Sequence, residues 1–324
     1  MQAQNLILLD ESRFGDEIMQ KVRPALEVCA EPFSCEIAPG QALNCCLYRV
    51  KDSGRCVVLS HGFTEFHVKF EEMTYYFLNQ GFSVAVYDQR GHGYSFAETK
   101  KPEVIHVRHF DDYVSDLNTV LAAVKRMLPP DTEYILYGHS MGGAIAARYL
   151  EKYPGDFQRC ILNAPMLAIR SDPMPPWLSK LAALFFMTFG MAQRGFFVQK
   201  PFDADAPFAD SYCTSRPRFD FYQAVRAAVP QYQRNLASYR WIWEGLDNTD
   251  RFFRKKNLAA IRIPILMFGA ELESLVRNDA QEKLAAALPN VTYKVIPGVK
   301  HEIYRSPNAV LEGYYGDIFD FLNK

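Results

Sequence analysis

The 324-residue chain has almost no net charge, with 36 lysines and arginines against 37 aspartates and glutamates. That balance removes the electrostatic reason to expect a nucleic-acid partner. Long apolar runs are also missing. The uncharged, strongly apolar stretch Leu181 to Gln193 falls short of the roughly 18–20 residues that a membrane span requires. The opening segment MQAQNLILLDESRF has an apolar run of about four residues, against roughly 7–15 in the core of a signal peptide. The expected location is therefore cytoplasmic, with contact at a membrane surface as the only membrane role in view. The seven cysteines are odd in number and form no CxxC pair. They lack the paired Cys/His spacing of zinc sites and read as small buried thiols in a reducing compartment.

What is present is an alternation. A helical lead-in covers residues 1–30, and two β-rich runs follow, Pro32–Ile37 and Ala42–Val50, separated by the turn signal Pro39-Gly40. Short apolar strands then alternate with helices. The strands are Cys56–Ser60, Phe82–Tyr87, Tyr134–Tyr137 and Cys160–Ala164, and a long amphipathic helix is expected from Phe110 to Met127. Continuously apolar strands alternating with helices specify a mostly parallel, doubly wound sheet covered on both faces. After the sixth strand the alternation stops. Residues 166–259 are rich in aromatics, proline and arginine, with helical periodicity and no clear strand. It resumes with strands at Ile263–Phe268 and Val291–Ile296 and helices at about 277–287 and 307–322. The expected organisation is a core of residues 1–165 and 260–324 with a helical insertion, 166–259, between them.

Gly138-His139-Ser140-Met141-Gly142-Gly143 lies between a strand and a helix. A G-x-S-x-G in that context presents the serine on a sharp, strained turn at the C-terminal edge of a parallel sheet. The other catalytic groups should follow in the order acid, then histidine. His301, between the last strand and the last helix, is placed as the general base. The acid should follow the strand Ile263–Phe268, where Glu271 and Glu273 are both candidates. An oxyanion hole takes two backbone donors. One is the N–H of Met141, and the other comes from the loop Ser60-His61-Gly62-Phe63-Thr64, with Phe63 N–H the candidate. His61 reads as a brace for that loop. None of this chemistry requires a metal or an organic cofactor.

These motifs resemble a known family. His61-Gly62-Phe63, Asp88-Gln89-Arg90-Gly91-His92-Gly93-Tyr94-Ser95, Phe110–Leu117, Gly138–Gly143 and Lys300-His301-Glu302-Ile303 together are similar to α/β-hydrolases of the lysophospholipase L2 and monoacylglycerol lipase group. Thr214–Phe219 and Tyr239-Arg240-Trp241 look most like the bacterial lysophospholipase L2 branch. The resemblance covers nearly the whole chain from about residue 35. It implies an α/β-hydrolase fold, a serine esterase acting on monoacyl lipids, and a helical cap formed by the insertion. It places the acid in a D-x-φ-V stretch, here Glu273-Ser274-Leu275-Val276, so that Glu273 takes the acid position with glutamate where aspartate is commoner. The residues expected to meet substrate are Phe185 and Phe186 on the apolar run, and Arg216 and Trp241 in the branch-like stretches.

Two other activities use the same triad: a peptidase of the proline-iminopeptidase type and an esterase of small soluble esters. Those peptidases usually carry a Gly-Gly-Pro-Gly oxyanion loop, which is absent, and need carboxylates to hold a substrate amine. The insertion instead offers Arg194, Arg216, Arg218, Arg226, Arg234 and Arg240, which suit anions.

Overall fold

A computed structural model describes residues 6–171 and 174–324. The first five residues of the opening segment, and Asp172 and Pro173 at the expected start of the apolar helix, lie outside the described residues. Eight strands form one sheet: β1 (Ala30–Ala38), β2 (Gln41–Tyr48), β3 (Arg55–Ser60), β4 (Ser83–Tyr87), β5 (Glu133–His139), β6 (Arg159–Asn163), β7 (Ile265–Ala270) and β8 (Val291–Ile296). Their spatial order is β1-β2-β4-β3-β5-β6-β7-β8. The β1–β2 and β2–β4 pairs are antiparallel and every other pair is parallel. Gly40, with φ of 72°, makes the tight turn of the first hairpin.

The period of two along the strands divides the core. Cys56 and Val58 of β3 point into one apolar layer, Val57 and Leu59 into the other. Helix α1 (Glu71–Asn79) and the final helix cover the second layer. Helices α2 (Phe110–Met127) and α3 (Met141–Lys152) cover the first. Helix α2 starts where the motif reading expects. His109 N–H donates to Asp112 Oδ2 (3.2 Å) across its first turn, and acidic Asp111 and Asp112 at its start oppose basic Lys125 and Arg126 at its end, in accord with the helix dipole. Six of the seven cysteines are buried, Cys29 is half-buried, and all are free thiols.

Between β6 and β7 the chain leaves the sheet and forms α4 (Pro176–Thr188), α5 (Arg216–Ala228) and α6 (Tyr239–Phe252). Ala183, Phe196 and Tyr239 make a small core of their own there. Two short strands escape the sequence reading: Leu236–Ala237 pairs in parallel with Val104–Ile105 in a separate two-stranded sheet that ties the helical segment to the stretch before α2. Two residues are too few to show a period, so no pattern announces either. Helix α7 (Asn278–Ala287) and α8 (Asn308–Leu322) complete the chain. Among the described residues no helix is long and apolar enough to cross a membrane.

Candidate active site

Strand order reverses around β3, whose neighbours are β4 and β5. The crevice beyond the C-terminal ends of the strands at such a point is where open α/β sheets bind ligands. Ser140 follows β5 at that edge. Its φ of 53° and ψ of −117° lie where non-glycine residues seldom go. The neighbourhood enforces them: Ser140 N–H donates to the Asn163 carbonyl (3.0 Å) and its own carbonyl accepts from Met166 N–H (2.9 Å). Glycine is obligatory at two flanking positions. A Cβ at Gly142 would overlap the Ser60 carbonyl, and one at Gly138 would stand 2.6 Å from the Gly142 carbonyl oxygen. Met141, the first residue of α3, carries an amide with no intrahelical partner by position.

The loop after β3 runs against the serine, since a Cβ at Gly62 would stand 3.1 Å from Ser140 Cβ. His61 is a brace: its Nδ1 meets the Gly62 carbonyl (2.8 Å) and its Nε2 accepts from Gln89 N–H (2.9 Å). An imidazole accepting an amide proton is neutral, and burial accordingly lowers the pKa of His61. Glu65 adds a second brace. It accepts from Gly62 N–H (2.6 Å), Lys69 Nζ (2.9 Å) and Tyr304 Oη (2.6 Å). Sequence reading overlooked Glu65; its signal was a glutamate four residues before Lys69 in an otherwise apolar turn. Asp88 holds the next loop, accepting from the amides of His67 (2.8 Å) and Tyr94 (3.1 Å). Arg90 is tied to Asp116 (2.6 Å) and Glu98 (2.8 Å). The Asp88–Ser95 stretch is thus a structural turn.

His301 and Glu273 meet. Nδ1 of His301 lies 2.7 Å from Glu273 Oε2, and the other carboxylate oxygen accepts from the amides of Ser274 (2.9 Å) and Leu275 (2.8 Å). Burial works against ionisation of Glu273. The hydrogen bond and charge of His301, with the loop amides, outweigh it, so the carboxyl sits below its ordinary value. Nε2 of His301 is buried without a hydrogen-bond partner among the described residues. The ring lies 4.9 Å from that of His139, the residue before the serine. Glu271 faces the other way: it is exposed and accepts from Gly298 N–H (2.7 Å).

A cavity of about 400 Å³ opens at Ser140. Phe63, Met166, Phe196, Trp241, Ile242 and Leu275 form much of its wall. Trp241 stands 4.3 Å from Phe63, centroid to centroid. Of the four residues expected at the substrate, Trp241 alone lines this cavity. Phe185 is 58% exposed. Phe186 stacks on Tyr239 at 4.6 Å within the helical segment, and Arg216 is exposed and pairs with Asp220 (2.7 Å), four residues along its own helix. The reason is geometric. Helix α4 turns Ser179 to the cavity and Ala183 to its neighbours, and leaves Phe185 on the solvent side. A helix apolar all round gives no sequence cue to which face does which.

A family described as "Serine aminopeptidase, S33" matches residues 51–308. The chain is 28% identical over 269 residues to a probable lysophospholipase L2 of Haemophilus influenzae, covering 83% of this chain and 84% of that one. It is 29% identical over 285 residues to lysophospholipase L2 of Escherichia coli, covering 86% and 83%. Among solved structures it is similar to a soluble variant of monoglyceride lipase from Saccharomyces cerevisiae in complex with a substrate analogue. The TM-score is 0.71 at 18% identity, over 91% of this chain and 94% of that one. At that identity the likeness speaks for the fold alone, which is the α/β-hydrolase fold that the motifs imply.

Proposed function

The chain belongs to the serine aminopeptidase, S33 family of α/β-hydrolases, and on that premise we propose that it is a serine esterase of monoacyl lipids, lysophospholipids or monoacylglycerols, working through an acyl-enzyme. Ser140 Oγ attacks the acyl carbonyl carbon and its proton passes to His301 Nε2. Glu273 holds the ring with its proton on Nδ1 and stabilises the imidazolium. The oxyanion is met by the amides of Phe63 and Met141. His301 then returns the proton to the departing glycerol oxygen, leaving the acyl group on Ser140. A water molecule, deprotonated by the same nitrogen, attacks that ester, and His301 passes the proton to the departing Ser140 Oγ as the fatty acid is released. Residues 166–259 act as the cap over this site.

The observation that carries the reading is the wall of the cavity at Ser140. It is mostly aromatic and aliphatic, its polar members besides Ser140 being Arg170, Ser171, Ser179 and Gln199, and among the described residues it contains no carboxylate. An aminopeptidase has to hold a substrate ammonium, and a wall without a carboxylate gives it nothing to hold. An acyl chain gains roughly 0.8 kcal/mol for each CH₂ that such a wall buries. The exposed apolar face of α4, with Trp177, Leu181, Phe185 and Phe189 each more than half exposed, suits transient contact with the lipid surface that presents the substrate.

The test is Ser140→Ala. Turnover of a long-chain monoacyl ester should fall by about six orders of magnitude with the fold intact. A fluorophosphonate should label the wild type and not the variant. Retained activity together with labelling at another serine overturns the assignment.

A further inference from the structure

A second cavity, of about 220 Å³, lies on the other side of the Phe63–Thr64 turn. Phe63 walls the apolar cavity and Thr64 the second one. Glu302, next to His301, also lines it. The chain segment 196–203 runs along both, giving Phe196 to the first and Phe202 to the second. The two cavities therefore lie on either side of the Phe63–Thr64 turn, the first mostly apolar and the second lined by charged as well as apolar residues.

The lining of the second cavity carries three cations, Lys69, Arg226 and Arg305, against three carboxylates, Glu302 and the two exposed residues Asp203 and Asp210, and one of the cations forms no ion pair among the described residues. Lys69 and Arg305 each hold Glu302 at 2.5 Å, and Lys69 also holds Glu65. Two cations thus meet two carboxylates. Asp203 and Asp210 are on the exposed rim. Arg226 forms no ion pair among the described residues. Its guanidinium rests on the carbonyls of Tyr232 (2.9 Å) and Arg234 (3.0 Å) and on Asn235 Oδ1 (2.8 Å), with the ring of Phe202 4.4 Å away. Neutral acceptors orient a guanidinium without pairing its charge, which Glu302 and Glu65 reach only through space. Burial pushes its pKa down to about 10, so it stays protonated at neutral pH. Arg234 also rests on carbonyls, those of Lys101 and Val104, but it does not line the cavity, and other arginines of the segment are ion-paired. Arg218 is buried against Glu72, Arg240 pairs with Glu244, and Arg216 pairs with Asp220.

We propose, building on the monoacyl-lipid reading above, that this cavity is a subsite for the phosphate of the substrate's alcohol half, with Arg226 as its receptor. The acyl chain lies in the apolar cavity, the ester at Ser140, and the glycerol carries its phosphate past Thr64 to Arg226. Uncharged monoacylglycerol fills the same site without using the arginine.

The experiment compares oleoyl lysophosphatidic acid with monooleoylglycerol, the same acyl chain with and without phosphate, in the same neutral detergent micelles. The wild type should favour the phosphate-bearing lipid. Arg226→Met should lower kcat/KM for that lipid by about tenfold to a hundredfold, the worth of a charge-assisted hydrogen bond, while monooleoylglycerol changes less than about threefold. Arg226→Lys should restore part of the preference, since charge survives where the fork does not. Equal losses on both lipids make Arg226 a structural residue and overturn the proposal. Should Arg226→Met fail to fold, the wild type decides: glycerol 3-phosphate must inhibit monooleoylglycerol hydrolysis competitively and glycerol must not. Inhibition by inorganic phosphate as strong as by glycerol 3-phosphate, with no preference between the lipids, assigns the cavity to free phosphate and overturns the headgroup assignment. Hydrolysis of monooleoylglycerol with neither preference nor inhibition overturns the subsite alone. Hydrolysis of neither lipid overturns the subsite and the monoacyl-lipid reading together.

Discussion

At the sheet edge, Asp88 and Glu273 each hold two or more backbone amides of the loops around Ser140, and Glu65 ties Gly62 to Lys69 and Tyr304. Helix α4, across the cavity, buries only Ser179 and Ala183 and leaves Trp177, Leu178, Leu181, Leu184 and Phe185 in solvent. The first region fixes the candidate catalytic atoms to within hydrogen-bond tolerances. The second offers apolar surface with few directional bonds, which suits a substrate whose chain has no polar groups. The same kind of substitution should therefore do very different things on the two sides.

The largest contrast uses glycine. Gly142→Ala drives a methyl into the Ser60 backbone, and backbone cannot rotate away. It should abolish turnover and leave little folded protein. Gly190, just past α4, has a φ of +74° and nothing within 4 Å of a new Cβ. Gly190→Ala should cost only about 1–2 kcal/mol, the strain of that conformation. Melting temperatures and ester turnover of the two variants read the contrast directly, and a well-folded, active Gly142→Ala protein would break it.

Next in size is the acid. Glu273→Gln keeps the shape but cannot stabilise imidazolium, and about 10⁴ of turnover should be lost by the aspartate precedent. Glu271→Gln, which disturbs only the Gly298 amide, should stay within about threefold of wild type. If Glu271→Gln is the more damaging of the two, the acid is misassigned.

These two glutamates show how far the sequence carries. The strand–G-x-S-x-G–helix context singled out Ser140 as the candidate nucleophile, and chain order singled out His301 as the candidate base. Spacing alone could not choose between Glu271 and Glu273. They leave the same loop in different directions, and only the resemblance to a D-x-φ-V stretch favoured Glu273. The inner strands were legible because buried parallel strands are continuously apolar, and the first two because the Pro39-Gly40 turn signal separates two β-rich runs. Leu236–Ala237 was not, and neither was the placement of Phe185 and Phe186 outside the cavity at Ser140. Arg216 had its partner in plain view at Asp220, one helical turn away. Arg226 differs from it in having no carboxylate at that spacing.

A pH dependence separates the sheet edge again. Burial lowers the pKa of His92 to about 3 and of His139 to about 4. Both are neutral in the folded protein and titrate near 6.5 when unfolded. Their folded values are depressed, so the unfolded chain binds more protons between these limits. Stability is whole above about pH 6.5 and falls by up to ~3 kcal/mol for each as the pH drops toward 4. Urea midpoints across that range should show the slope, and His92→Gln should flatten it. An unchanged slope would mean that His92 is not buried neutral.

The smallest effect belongs to α4. Phe185 and Phe186 are neighbours in the chain but not in role: the first is 58% exposed, and the second stacks on Tyr239 at 4.6 Å. Phe186→Asp puts a carboxylate into that aromatic contact and should lower stability by a few kcal/mol, with turnover of every ester falling as the protein unfolds. Phe185→Asp meets only water. It should keep the fold and full activity on a short acetate ester. If α4 touches the lipid surface, its loss removes part of the roughly 1.5–3 kcal/mol that a phenylalanine gains on leaving water, so binding to phospholipid vesicles and turnover of vesicle-borne monoacyl lipid should each weaken by about threefold to tenfold. The cavity at Ser140, which Phe185 does not line, stays unchanged, so the same long-chain lipid offered as dispersed monomer should be turned over at the wild-type rate. A Phe185→Asp variant that binds vesicles like the wild type would show that the exposed face of α4 does not meet the lipid surface. One that loses monomeric substrate as well would move α4 from the membrane contact to the acyl path.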